Sequence, residues 1–305
     1  MITPRQKRVK QNGFGAEMGK TRFCRRHGTR LPGMLYPACG LVIVRTSDRK
    51  NTSKEFRAMA PENNGKNAVQ SCERLIVALD FDSREEALVL VELLGERIGT
   101  YKVGYQLFMR EGMSFVKELV GLGKKVFLDL KMGDIDRTIA AALRAVPEGV
   151  EFVTINGGKA TVAAAKEGRG ERDRPLILSL TFLSSLNQDD LRALMMNENL
   201  ELEEYVRVFT RRSVEAGCDG VVASGESIRE IRQEFGSRLV IVAPGIRPQG
   251  MERNDHKRAL TPTMAIEYGA DYLVVGRPVT EAENNLEITE SLIEEVNRAV
   301  AVRED

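Results

Sequence analysis

"RLIVALDFDSREEALVLVELLG", residues 74–95, changes its period part-way along. The first seven residues are a short apolar run rich in β-formers and closed by Asp80. The thirteen residues from Ser83 open with an N-cap serine, carry Glu85 and Glu86 early, and then place apolar residues at helical spacing. The stretch therefore predicts a strand running straight into a helix.

That unit repeats to the end of the chain. Strand-like runs stand at 74–80, 100–104, 125–131, 150–155, 175–181, 219–223, 239–243 and 271–275. Helical segments stand at 83–95, 106–120, 135–145, 158–167, 200–216, 225–235, 262–269 and 281–303. Continuous apolar strands joined by helical crossovers mean a parallel sheet covered by its helices. Eight such units over about 230 residues predict the α/β class and a closed (β/α)8 TIM barrel, for which about 250 residues is typical. An open doubly wound sheet is the alternative, but "ALDFDS" follows the first strand where a dinucleotide-binding sheet carries GxGxxG.

The 305 residues have a formal charge of +1, unevenly spread. Residues 1–73 hold fifteen Lys and Arg against five Asp and Glu, about +10, and the remainder thirty against thirty-nine, about −9. Residues 1–73 show no sustained period and are expected to form a basic, disordered extension, with residues 74–305 as the catalytic barrel domain. The extension can also be read as an Arg-rich targeting peptide, a nucleic-acid-binding arm, or sequence upstream of a start at Met59. The acidic body is not a nucleic-acid surface on charge grounds. Cys24, Cys39, Cys72 and Cys218 form no CxxC pair, and His27 and His256 are the only histidines. That argues against a zinc site or disulfide framework and for a reducing cytoplasm. Apolar stretches such as "GLVIV" (40–44) and "YLVVG" (272–276) are too short to cross a bilayer. No charged start followed by a long apolar segment marks a signal peptide. A soluble protein with no membrane partner is expected.

Catalytic groups of such barrels sit at the C-terminal ends of strands, and this sequence puts charge there repeatedly. Asp80 closes the first strand, Lys102 lies near the end of the second, and Asp129 and Lys131 close the third. The last two are two apart, so they share one side of the strand. Asp134 follows in the loop, Ser184 comes just after the fifth strand and Arg277 just after the eighth. Singly, each has a plain structural reading: Asp80 and Asp134 as helix caps, Lys102 as a snorkelling side chain, Arg277 as a surface residue. Together, several inward charges of alternating sign at one rim are tolerated only if they pair. A Lys–Asp–Lys–Asp array would keep every member ionised. The Gly-rich turns "PGIRPQG" (244–250) and "VVGRPVT" (274–280) follow the seventh and eighth strands and carry one Arg each. Barrels commonly bind phosphate there.

"VALDFDSREEA", "YKVGYQLF", "FLDLKMGDIDRT", "PGIRP" and "TPTMAIEYGADYLVVGRP", in that order, resemble the orotidine 5′-phosphate decarboxylase family of bacterial type, over residues 74–305. The resemblance implies a homodimer that converts orotidine 5′-phosphate to UMP and carbon dioxide without cofactor or metal. It implies that Asp80 binds a ribose hydroxyl and that Lys102, Asp129, Lys131 and Asp134 form a charged tetrad. Asp134 and Thr138 would reach the partner's site, and Ser184 would sit near the pyrimidine and carboxylate. Arg247, His256, Gly276 and Arg277 would match phosphate-binding positions, with Ile135 and Pro244 also among the substrate-binding residues.

The chain departs from the family's usual DLKxHDIPNT at Gly133, Asp136 and Arg137, from its usual Gln at His256, and from a frequent His after the fourth strand, where "TINGG" stands. The family's reaction leaves a carbanion at C6 with no electron sink, so preorganised charge has to stabilise it. Lys131 is then the cation beside C6 and its proton donor, Asp129 lies near the departing carboxylate, and Lys102 and Asp134 hold Lys131. Two other classes share features. Sugar-phosphate enzymes (3-keto-gulonate-phosphate decarboxylase, hexulose-phosphate synthase) have D-x-K-x-x-D but use Mg²⁺ with extra carboxylates. A nucleic-acid-binding or regulatory protein could carry the basic arm on a vestigial barrel. "DIDRT" and "NDHKR" favour the nucleotide enzyme over the first, and the intact tetrad disfavours the second.

Overall fold

The computed structural model of the chain describes residues 71–251 and 258–304. The expectations for residues 1–70, Met59 included, and for His256 lie outside the described residues. Eight strands follow one another: β1 (Leu75–Ala78), β2 (Thr100–Gly104), β3 (Lys125–Met132), β4 (Val150–Ile155), β5 (Leu176–Leu180), β6 (Gly220–Val222), β7 (Val240–Ala243) and β8 (Tyr272–Val275). They pair in parallel, in chain order, and β8 closes onto β1 through Leu75↔Leu273 to Val77↔Val275. The expected closed barrel is the observed one. Every strand lies within its expected run except β3, which continues one residue further to Met132.

Among the described residues the helices are α1 (Arg84–Leu94), α2 (Tyr105–Gly121), α3 (Asp136–Ala145), α4 (Lys159–Arg169), α5 (Gln188–Met195), α6 (Leu202–Glu215), α7 (Ser227–Phe235), α8 (Pro262–Tyr268), α9 (Arg277–Thr280) and α10 (Asn285–Glu304). Ser83 caps α1 as expected, its hydroxyl accepting from the Glu86 N–H at 3.3 Å. Thr261 caps α8 in the same way, with Pro262 following where the missing N–H costs nothing. None of these helices is long and apolar enough to cross a membrane.

The strand runs lack alternation because both faces are buried. Ile76 and Ala78 of β1 face the barrel interior with Phe127, Phe152, Leu178, Leu180, Val222, Val242 and Val274. Leu75, Val77 and Leu79 join the outer shell with helical residues such as Val91, Leu94 and Val296. Each fully buried side chain of this size stabilises the fold by about 1.5–3 kcal/mol. Edge-on aromatics fill the lower interior, Phe152 lying 5.7 Å from Phe127 and 4.9 Å from Tyr272 between ring centroids.

At the N-terminal ends of the strands one arrangement occurs twice. Asp219, just before β6, accepts from the Ile177 N–H at 2.8 Å and from Arg169 at 2.5 Å. Asp271, just before β8, accepts from the Ile241 N–H at 2.8 Å and from Arg232 at 2.6 Å. Each carboxylate thus ties a helix arginine to a strand that begins beside it.

Candidate active site

Inward-facing positions recur every second residue along a strand, and here they change character at the last step. Ala78 is followed two residues on by Asp80, and Phe127 by Asp129. With Lys102 of β2 and Lys131 of β3 these open into a cavity of about 330 Å³ at the C-terminal rim. Its floor is apolar, formed by Ala78, Phe127, Leu180, Val222 and Val274.

The charges alternate and touch. Lys102 Nζ lies 3.0 Å from Asp80 Oδ1 and 3.9 Å from Asp129 Oδ2. Lys131 Nζ lies 2.9 Å from the same Asp129 oxygen. Asp129 is only 9% exposed, and both ammonium groups reach the same one of its oxygens. A β-carbon on Gly104 would stand 2.9 Å from Lys102 Nζ; glycine there leaves the lysine its place. Neither Asp80 nor Asp134 is an ordinary helix cap. Ser83 caps α1, and α3 starts after Ile135 with no side-chain cap.

The β7–β8 side of the rim, adjoining β1, is cationic. Pro244, Gly245 and Arg247 from the connection after β7, and Gly276 and Arg277 from the end of β8, all line the cavity, as does Ser184 from the connection after β5. Arg247 is buried and pinned, its guanidinium donating to the Ile246 carbonyl at 2.8 Å and its N–H to the Leu260 carbonyl at 2.9 Å. Nine of the expected site residues are thereby brought together: Asp80, Lys102, Asp129, Lys131, Ser184, Pro244, Arg247, Gly276 and Arg277.

Asp134, Ile135 and Thr138 lie outside the cavity. All six residues from Gly133 to Thr138 are exposed, and Ile135 is 71% exposed. Among the described residues, the Asp134 carboxylate accepts from the Ile135 N–H at 2.6 Å.

Three participants escape sequence reading. Thr154 of β4 donates to Asp129 Oδ1 at 2.8 Å, but a threonine in a strand reads as a β-former. The Tyr105 hydroxyl donates to the Leu130 carbonyl at 2.5 Å, whereas its sequence position reads only as the start of a helix. Arg258 donates to the carbonyls of Phe182 and Leu183 at 3.1 and 2.9 Å, bracing the segment that carries Ser184. Burial lowers Arg258 to about 10, which leaves it cationic at neutral pH. Lys131 itself has φ +42°, a left-handed conformation that costs a non-glycine residue about 1–3 kcal/mol and must be held by its surroundings. Among the described residues, no cluster of three or more His, Cys, Asp or Glu is arranged to hold a metal ion.

A closed (β/α)8 barrel whose rim cavity is lined by an alternating charge array and two arginines defines a barrel protein built to take a small anionic molecule at its C-terminal rim. A family model described as "Orotidine 5'-phosphate decarboxylase / HUMPS family" matches residues 73–292. The orotidine 5′-phosphate decarboxylase of Nitrobacter winogradskyi is 42% identical over 234 residues, 76% of this chain and 95% of that protein. The one from Heliobacterium modesticaldum is 40% identical over 248 residues, 77% of this chain and 100% of that protein. The crystal structure of orotidine 5′-phosphate decarboxylase from Lactobacillus acidophilus superposes with a TM-score of 0.64 at 33% identity, covering 74% of this chain and 99% of that one. The chain belongs to the orotidine 5′-phosphate decarboxylase / HUMPS family.

Proposed function

We propose that this chain is an orotidine-5′-phosphate decarboxylase, a carboxy-lyase that forms UMP in pyrimidine nucleotide biosynthesis. The observation that carries the reading is the unbroken series Asp80–Lys102–Asp129–Lys131 lining one cavity with Arg247 and Arg277. The phosphate would lie against Arg247, Arg277, Gly276 and Pro244, together with His256, and the ribose would lie against Asp80. The pyrimidine would then reach the apolar floor with its C6 carboxylate near Asp129 and Ser184. The C6–carboxylate bond breaks, its electron pair stays on C6, and carbon dioxide leaves. The Lys131 ammonium stabilises that pair and gives C6 its proton, then regains one from water. Preorganised charge of this kind supplies the stabilisation without reorganising during the step. Phosphate contacts remote from C6 contribute binding energy that positions the ring. No cofactor or metal enters this scheme.

The catalytic unit in this reading is a homodimer in which Asp134, Thr138 and Ile135 complete the partner's site. The exposed run 133–138, with the apolar Ile135 71% exposed, supports it. The dispersed cysteines favour a cytoplasmic setting, and residues 1–73 are a basic extension to the barrel domain. The deciding assay is loss of orotidylate absorbance with purified protein in EDTA. Turnover that needs Mg²⁺, or acts on a sugar phosphate instead, would place the chain with the metal-dependent enzymes. For the dimer, mixing inactive Lys131→Ala and Asp134→Ala chains should restore about a quarter of parental activity, because half the dimers are mixed and each rebuilds one whole site. No recovery on mixing would remove the shared site.

A further inference from the structure

The end of β3 does not continue its ladder with β4. Phe127 and Leu128 pair with Phe152 and Val153, and the next partners are Met132 and Ile155. Asp129, Leu130 and Lys131 therefore lie opposite Thr154 alone, a bulge that turns Lys131 into its left-handed conformation. The peptide group between Leu130 and Lys131 loses its strand partners and is held by side chains at both ends. Its carbonyl accepts from the Tyr105 hydroxyl at 2.5 Å, and its N–H donates to Thr154 Oγ1 at 2.8 Å.

Thr154 has one hydroxyl proton. Since its oxygen accepts from Lys131, the proton goes to Asp129 Oδ1, 2.8 Å away. The other Asp129 oxygen takes Lys131 Nζ at 2.9 Å. The bonds close a ring: Lys131 N–H to Thr154, Thr154 to Asp129, and Asp129 to the Lys131 ammonium. Thr154 is 0% exposed, and both of these bonds go to residues of the charge array. Valine would fill the same volume, so packing does not require the hydroxyl. The Tyr105 ring lies beneath the ammonium at 5.9 Å.

We infer that Thr154 and Tyr105 are positioning residues for the proposed decarboxylation. Thr154 fixes the rotation of the Asp129 carboxylate and, with Tyr105, holds the turned Lys131 backbone so that Nζ returns to Asp129. This rests on the reading that Asp129 and Lys131 face the reacting carboxylate. Neither residue touches the substrate in that reading, so their effect belongs in kcat.

The test uses the full chain with Thr154→Val, Thr154→Ser, Tyr105→Phe and Lys131→Ala, measuring kcat and KM for orotidine 5′-phosphate, the inhibition constant of UMP and the thermal midpoint. Thr154→Val should lose about 30-fold or more in kcat, with KM and UMP affinity within about 3-fold. Thr154→Ser, which keeps the hydroxyl, should recover to within about 5-fold of the parent, and Tyr105→Phe should lose about 3- to 10-fold in kcat alone. A Thr154→Val kcat within about 3-fold of the parent, or a Thr154→Ser no better than Thr154→Val, overturns the inference. So does a loss of UMP affinity parallel to kcat. If Thr154→Val fails to fold, Tyr105→Phe decides, since an unchanged kcat there overturns the clamp. Parental turnover abolished by Lys131→Ala separates this outcome from failure of the functional reading; a parent without turnover sinks both.

Discussion

The two ends of the barrel both carry buried or half-buried charge, and they use it differently. At the N-terminal end, Asp219 and Asp271 each meet an arginine and a backbone N–H of a neighbouring strand. All of these partners belong to the scaffold, and the carboxylates act as ties between helix and sheet. At the C-terminal end, Asp80, Lys102, Asp129 and Lys131 pair mainly with one another and border an open cavity. A lysine ammonium is a compact point charge on a flexible stem, suited to donate a proton, whereas an arginine fork does not deprotonate. Charge at a strand end therefore signals chemistry only with the end and the partner specified.

The contrast can be broken from either side. The largest effect is expected from Lys131→Ala: turnover should fall by more than about 10³-fold while UMP still binds and the thermal midpoint moves little. Appreciable activity in that variant would end the assignment of the C-terminal charges to catalysis. Next, Arg277→Ala should lower kcat/KM for orotidine 5′-phosphate by about 10²-fold but spare a substrate analogue lacking phosphate. Equal losses on both substrates would show that Arg277 shapes the barrel and does not read the anion.

Asp219→Ala tests the other end. It removes acceptors from Arg169 and Ile177 and should cost about 2–3 kcal/mol in urea unfolding, with kcat of the folded enzyme unchanged within about 3-fold. A catalytic defect without a stability defect would contradict the division of labour. The smallest effect concerns Cys218, beside Asp219. Burial, and then the Asp219 charge, push its thiol up to about 12 from 9. Over that interval the unfolded chain has lost a proton that the folded chain keeps, so stability falls as pH rises, by about 1.4 kcal/mol per unit from this group. Cys218→Ala should flatten the fall between pH 9 and 10, and an unchanged slope would count against a buried neutral thiol.

Most of the barrel was legible because parallel strands packed on both faces leave continuous apolar runs, and their ends fall where those runs stop. Helix α5 was not. It has an Asn187–Asp190 capping box but buries only Leu191 fully, so no apolar stripe marks it. Helix α9 is a single turn. Asp80, Lys102 and Asp129 could be read from spacing, since period two fixes the inward side; Lys131 meets Asp129 through a turned backbone that period two does not describe. The departures from family usage after β3 and β4 prove to be neighbours. The Asn156 N–H donates to the Met132 carbonyl at 2.9 Å, and a β-carbon on Gly133 would stand 2.6 Å from the Asn156 carbonyl oxygen. Gly133 thus fits a chain that turns closely at Asn156. Nothing in the structure explains Asp136 or Arg137.

By itself the sequence determined the order of the strands and of the helices other than α5 and α9, the closed barrel, and which strand ends carry charge. Those follow from local periodicity, which each segment expresses alone. Only the tertiary structure decided how the charges are held. The β3 bulge and the turned backbone of Lys131 rest on hydrogen bonds that Lys131 donates to Thr154 and Tyr105 donates to Leu130, between residues 23 and 25 positions apart. "FLDLKM" reads as an unbroken strand, because a bulge is a mismatch between two strands and neither strand records it alone.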